Sequence, residues 1–399
     1  MAIEPPQVIV AGHLCLDIIP QFSDTFIPID LLLRPGNLTR VGPAVLSTGG
    51  AVSNTGLALH RLGVPVKLMG KIGTDLFGEA ILSVLRAHDP ALADGMIVSP
   101  DEASSYTVVI NPPGVDRIFI HCPGTNDTFG AADIPLDEVR QARIFHFGYP
   151  PLMRRFYQSD GAEITKLMRE VKAAGVITSM DVTQPDSASE AGHVNWTRVL
   201  EQTLPYVDIF APNLSETLFM IDRPRFDAQH DGATSPIPDG PLLHAVSERL
   251  LGMGAAIVAL KLGDLGFYLR TTNDRARLES LTGLLPTDLS GWLDREVFTT
   301  CFKVKVAGTT GAGDCAIAGM LTGLLHGQNV EAVITSAAAV GACNVERSDA
   351  VSGIPHWDAA LTRVRTGWSH HPLAVPLPGW HGGRDGHIWY GAHDAGGDA

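Results

Sequence analysis

The run Val306-Ala307-Gly308-Thr309-Thr310-Gly311-Ala312-Gly313-Asp314 decides how the chain is read. Ahead of it, Phe302, Val304 and Val306 alternate as on one face of a strand; behind it, Ile317, Met320, Leu321, Leu324 and Leu325 recur at helical spacing. The order predicted is strand, glycine turn, helix. Gly311 and Gly313 lack a Cβ, so the backbone can turn sharply and aim consecutive N–H groups at one spot before a helix N-terminus that already carries partial positive charge. Such a spot suits an anion. Asp314 is a poor neighbour for an anion unless it acts on something beside it, such as the proton of an attacking hydroxyl. The plain alternative is a tight turn with a helix-capping aspartate.

Working outward, 399 residues with 45% hydrophobic content can bury a large core, and one α/β domain with an appendage is expected. The balance of 29 basic against 43 acidic residues gives a net charge of −14, which argues against nucleic acid or an anionic membrane as the main partner. Five cysteines without a CxxC pair suggest neither a disulfide framework nor a zinc site, and a reducing cytoplasm is the expected location. No secretory signal and no membrane-spanning run is expected.

Upstream, Val8 to Gly12 reads as a buried strand running into Asp17, a carboxylate among apolar neighbours that needs a partner. Gly49 and Gly50 allow close approach of a ligand, and the helix carrying Asn54 stops at Gly63. Thr74 is a plausible cap with Asp75 in the first turn, a structural pairing. Ser105 to Ile110 and Arg117 to His121 read as a hairpin around a Pro/Gly-rich joint at 111–116. From Arg143 strands and helices alternate, which predicts βαβ units with helices on both faces of a parallel sheet; Asp181 ends one strand. Asn213 and Glu216 open a helix in the spacing of a capping box. Residues 222–240 read as a surface insertion, Lys261 as an ordinary lysine beside a glycine turn with Gly263 and Gly266, and 366–399 as an irregular tail without periodicity.

The GTTGAGD run closely resembles the C-terminal signature of the PfkB, or ribokinase-like, family, and Gly49-Gly50 with Asn54 and the segment Gly70 to Gly78 resembles its N-terminal signature. The resemblance spans about residues 8–355. It implies a three-layer α/β/α sandwich with a mostly parallel central sheet and a small β-sheet lid, the kinase domain occupying 1–365 and the lid strands coming from about 15–47 and 104–122. It implies ATP-dependent phosphorylation of a sugar hydroxyl, with Asp314 as base and Gly311, Ala312 and Gly313 as the anion hole. Asp17, Gly49, Gly50, Asn54 and Asn126 would contact the sugar, Gly263, Gly266 and Asn344 the nucleotide, and Asn213 and Glu216 would hold Mg²⁺. A homodimer through the lid is a further implication. A nucleoside kinase and a non-catalytic sugar-binding relative stay open as alternatives. One position departs from the family: its usual Asp at the start of the run is Gly308 here. Either Asp349 supplies the missing anion to a K⁺-type monovalent-cation site, or that site is lost.

Overall fold

The computed structural model describes residues 5–23, 28–114, 117–230, 237–392, 394 and 396. Residues 115–116 of the expected joint and 231–236 of the expected insertion therefore lie outside the described residues, as do 24–27 between the expected lid strands and 393, 395 and 397–399 of the tail. A ten-stranded sheet forms the spine. Six strands run parallel in the spatial order Val66–Met69, Val8–Gly12, Ile144–Gly148, Ile177–Asp181, Ile209–Phe210, Ile257–Lys261. Four antiparallel strands continue it: Phe267–Thr271, Glu296–Thr299, Ile388–Tyr390 and His381–Gly382.

Strand periodicity divides the interior into two cores. Val8 and Val10 enter one, with Val52, Leu57, Ile317, Met320 and Leu321; Ile9 and Ala11 enter the other, with Phe145, Phe147, Ile164 and Leu167. Helices therefore cover both faces, as a parallel sheet requires. Ile317, Met320, Leu321 and Leu324 are at most 1% exposed. At about 1.5–3 kcal/mol for each buried side chain, they fix the helix that follows the glycine turn.

A second, separate sheet of four strands, in the order Ala44–Gly49, Cys15–Pro20, Tyr106–Ile110, Ile118–Cys122, is built from the segments expected to supply the lid, its last two strands forming the expected hairpin.

Several local expectations are corrected. Residues 303–308 form no strand: the N–H groups of Lys303, Ala307 and Gly308 go to Ser369 O and Val345 O, and Phe302 alone bridges to His370. The alternation of apolar residues there reflects a cavity wall at Val304 and Val306, not a pleat. Asp75, not Thr74, caps the helix Leu76–His88, accepting from Gly78 N at 2.8 Å. The insertion contains the helix Arg223–His230, anchored by buried Phe226 against Phe219. The tail is not irregular throughout, because two very short strands extend the sheet and Val375 and Ile388 are buried. Strands of two and three residues leave no periodicity to read.

Candidate active site

Gly311 takes φ 73°, the left-handed region, directly before the helix Ala312–Leu325. A side chain there would pay for that backbone and also press on Ala350, whose Cβ lies 3.0 Å from where the new atom would sit. The turn places Asp314, 3% exposed, in the helix's first turn facing a cavity of about 430 Å³. Its carboxylate is gripped from across the molecule. Tyr149 donates from its hydroxyl to both oxygens at 2.9 Å, Asn54 Nδ2 donates to Oδ2 at 3.0 Å, and Thr55 Oγ1 contacts Oδ1 at 3.4 Å. Burial raises the Asp314 pKa, while Lys261 and these donors pull the other way.

Tyr149 was not legible as a site residue. It follows the strand Ile144–Gly148 with φ 65° and ψ 44°, a conformation that costs a non-glycine residue about 1–3 kcal/mol. Its N–H bonds to Asp181 O at 3.2 Å, and the turn brings its ring to Asp314. Burial first, then the charge of Asp314, pushes its pKa well above the phenol range, so it stays a donor.

Behind the glycine turn lies the charge that sequence reading treated as ordinary. Lys261 reaches across the sheet to Asp181, Nζ to Oδ1 at 2.6 Å, and its aliphatic end passes beneath Gly313. Burial works against the ammonium, but Asp181, Glu216 and Asp314 together outweigh it and raise its pKa. Asp181 is raised by burial and by the other carboxylates, against the pull of Lys261, and its Oδ2 is buried without a hydrogen-bond partner among the described residues. Asn213 and Glu216 do form the capping box: Glu216 Oε2 accepts from Asn213 N, and Asn213 Oδ1 from Glu216 N, both at 2.7 Å. They also line the cavity, so capping and facing the site are compatible. Gly263 and Gly266 line it too, and Val304, Val306, Ala337 and Val345 make its far end apolar.

At the lid end Asp17 lies against Gly49, where an added Cβ would come within 2.3 Å of its carboxylate. Burial lifts its pKa to about 6, with Cys15 and Thr107 pulling down. Gly50 turns at φ 89° against His13. Asn54 Oδ1 is buried with no partner among the described residues, an acceptor left open beside Asp314.

Two residues expected to contact ligands bond to the backbone in this structure. Asn126, fully buried, clamps Leu14 by accepting from its N–H at 3.3 Å and donating to its carbonyl at 2.9 Å. Asn344 donates to the carbonyls of Thr310 and Ala350 and does not line the cavity, which Val345 beside it does. At Gly308 a Cβ would meet Ser348 Cα at 3.0 Å. The Asp349 carboxylate is taken up by its own loop: Oδ1 accepts from Val351 N and Ser352 N at 3.0 and 2.6 Å, and Oδ2 from Ser352 Oγ at 2.5 Å. Finally, Arg117 of the lid donates to Thr309 at 3.1 Å and to Thr310, a link from lid to glycine turn that no local pattern announced.

A model described as "pfkB family carbohydrate kinase" matches residues 7–357. An uncharacterized sugar kinase of Archaeoglobus fulgidus is 25% identical over 299 residues, covering 75% of this chain and 98% of that protein. Fructokinase-2 of Solanum habrochaites is 24% identical over 373 residues, covering 90% and 96%. Among solved structures, Arabidopsis thaliana ribokinase complexed with ribose and ATP aligns with TM-score 0.66 at 19% identity, covering 90% of this chain and 98% of that one. An E. coli chain in complex with ATP and Mg²⁺ aligns with TM-score 0.63 at 19% identity, covering 90% and 99%.

Proposed function

The chain belongs to the pfkB family of carbohydrate kinases, and from that membership we propose how its ATP-dependent transfer of phosphate to a sugar hydroxyl is carried out. The observation that carries the reading is the placing of buried Asp314 beside the Gly311–Gly313 turn, held by Asn54 and Tyr149 from far along the chain.

The sugar enters beneath the lid, where Asp17 accepts from its hydroxyls and Asn54 Oδ1 supplies a further acceptor. Asp314 accepts the proton of the attacking hydroxyl as the bond from that oxygen to the γ-phosphorus forms and the bond to the ADP oxygen breaks. The N–H groups of Gly311 and Gly313 meet the charge on the moving group, joined by that of Ala312 on release from the Thr309 carbonyl it meets at 3.3 Å, with the Lys261 ammonium beneath them. Gly263 and Gly266 border the nucleotide, and the apolar end of the cavity takes its base. Asn213 and Glu216, with the unpartnered Asp181 Oδ2, make an all-oxygen donor set that suits Mg²⁺. When bound, Mg²⁺ neutralises phosphate charge.

The reading extends to three further points. Val45, Leu46, Phe119 and Ile120 of the lid are exposed apolar residues, which supports pairing of two copies through the lid. All five cysteines are free and no described helix is long and apolar enough to cross a membrane, which accords with a cytoplasmic location. Gly308 without a carboxylate, and Asp349 already engaged, support turnover without a monovalent cation. The test is ATP consumption over a panel of pentoses, hexoses, sugar acids and nucleosides. Turnover with a sugar is expected; turnover with nucleosides alone would move the acceptor class, and none at all would favour a binding protein.

A further inference from the structure

Beside the acceptor end, and unused by the chemistry above, sit His13, Cys15 and His121. His13 follows the first strand of the central sheet, Cys15 opens the second strand of the chain, and His121 lies near the end of the lid strand Ile118–Cys122. Their ligand atoms all fall within 4.8 Å of one another, and the two Nε2 atoms face each other at 3.4 Å. Two nitrogens bound at about 2.0–2.1 Å to one tetrahedral Zn²⁺ stand about 3.3–3.4 Å apart, and a nitrogen and a thiolate about 3.6 Å. The rings already have the spacing of a bound pair, and the thiol sulfur lies within 4.8 Å of a nitrogen of each ring.

We propose that His13 Nε2, His121 Nε2 and Cys15 Sγ form a site for a zinc-class divalent cation that ties the lid to the body of the enzyme.

The surroundings are those of a ligand set. His121 Nδ1 lies 2.9 Å from Thr107 Oγ1, which in turn points to Cys15 Sγ at 3.5 Å. A protonated Nδ1 donating to Thr107, and Thr107 donating to a thiolate, leave the Nε2 lone pair of His121 facing inward. Without an ion, that Nε2 takes the Nε2–H of His13 and leaves His13 Nδ1 buried without a partner among the described residues. Asp17 Oδ1 lies 3.4 Å from Cys15 Sγ. On binding, the thiol proton leaves to solvent; the divalent charge is then balanced by the thiolate and the Asp17 carboxylate, the balance a buried site needs. Nitrogen and sulfur donors also separate this site from the all-oxygen set proposed for Mg²⁺.

The site stands independently of the acceptor assignment, and its test reads metal binding rather than turnover. The reduced full-length protein is titrated with Co²⁺ in excess Mg²⁺ and followed by absorption. One equivalent is expected to produce tetrahedral visible bands with a thiolate-to-cobalt charge-transfer band in the near ultraviolet. Cys15→Ser should remove that band, His121→Gln should weaken Co²⁺ binding at least 10-fold, and Thr107→Val, acting through its neighbours, about 10–100-fold. Absence of the charge-transfer band in the wild type overturns the proposal even if a variant fails to fold. Equal affinity in wild type and His121→Gln also overturns it, since the ion would then sit elsewhere.

Discussion

Replacing Tyr149 by Phe removes one oxygen and leaves the ring, its packing and its left-handed backbone in place. That oxygen donates to both oxygens of the nearly buried Asp314 carboxylate at 2.9 Å, while Asn54 and Thr55 keep their contacts. A hydrogen bond to a charged group contributes about 1.5–3 kcal/mol. At about 1.36 kcal/mol for each pH unit, losing it raises the Asp314 pKa by about 1–2 units. The direction follows from which form is favoured: the hydroxyl stabilises the carboxylate, so its loss makes the proton harder to remove. The acidic limb of the kcat profile should therefore move up by about 1–2 pH units. Tyr149→Phe should lose activity most at low pH and approach wild-type turnover on the alkaline side. The assay is steady-state turnover at saturating ATP, Mg²⁺ and sugar across the pH range, with circular dichroism to verify the fold. A uniform fall in kcat with an unmoved limb would refute the reasoning and leave Tyr149 a packing residue.

Asp314→Asn should lower kcat by about 10²–10⁴ while ATP affinity changes little; near-normal turnover would remove Asp314 from the chemistry. Asp17→Asn should raise the KM for sugar by about 10–100-fold, the worth of a hydrogen bond to a charged acceptor, and leave the KM for ATP unchanged. Equal weakening of both ligands, measured separately, would make Asp17 structural. Turnover in potassium should equal turnover in a bulky organic cation at matched ionic strength; activation by potassium would show that a cation site survives without a carboxylate at 308.

What the sequence disclosed is what short stretches of chain dictate by themselves. The glycine turn, the helix after it, the parallel strands and the lid hairpin each follow from local periodicity and turn chemistry. Tyr149, Lys261 and Arg117 were missed because each acts on a residue far along the chain: Tyr149 on Asp314, Lys261 on Asp181, Arg117 on Thr309. The only trace of the first two is that they stand at the carboxyl ends of strands, where open α/β sheets bind ligands. Asn126 and Asn344 were read as ligand contacts because an amide suited to a hydroxyl is equally suited to a backbone, and only the fold shows which one it meets. At 213–216 the choice between cap and site was a false one, since the side chains that close the helix also face the cavity.

The short strand Ile388–Tyr390 covers the edge of Glu296–Thr299, while Asp394 takes the N–H of Glu296 and the guanidinium of Arg295. Arg295 is 4% exposed, and among the described residues its counter-charges are Asp394 and Glu331. During synthesis the strand at 296–299 leaves the ribosome long before residues 388–394. Through that interval the nascent sheet presents an unpaired edge with a nearly buried cation behind it, open to pairing with a neighbouring chain. Residues 388–394 thus act as a latch that closes this edge against pairing with a neighbouring chain.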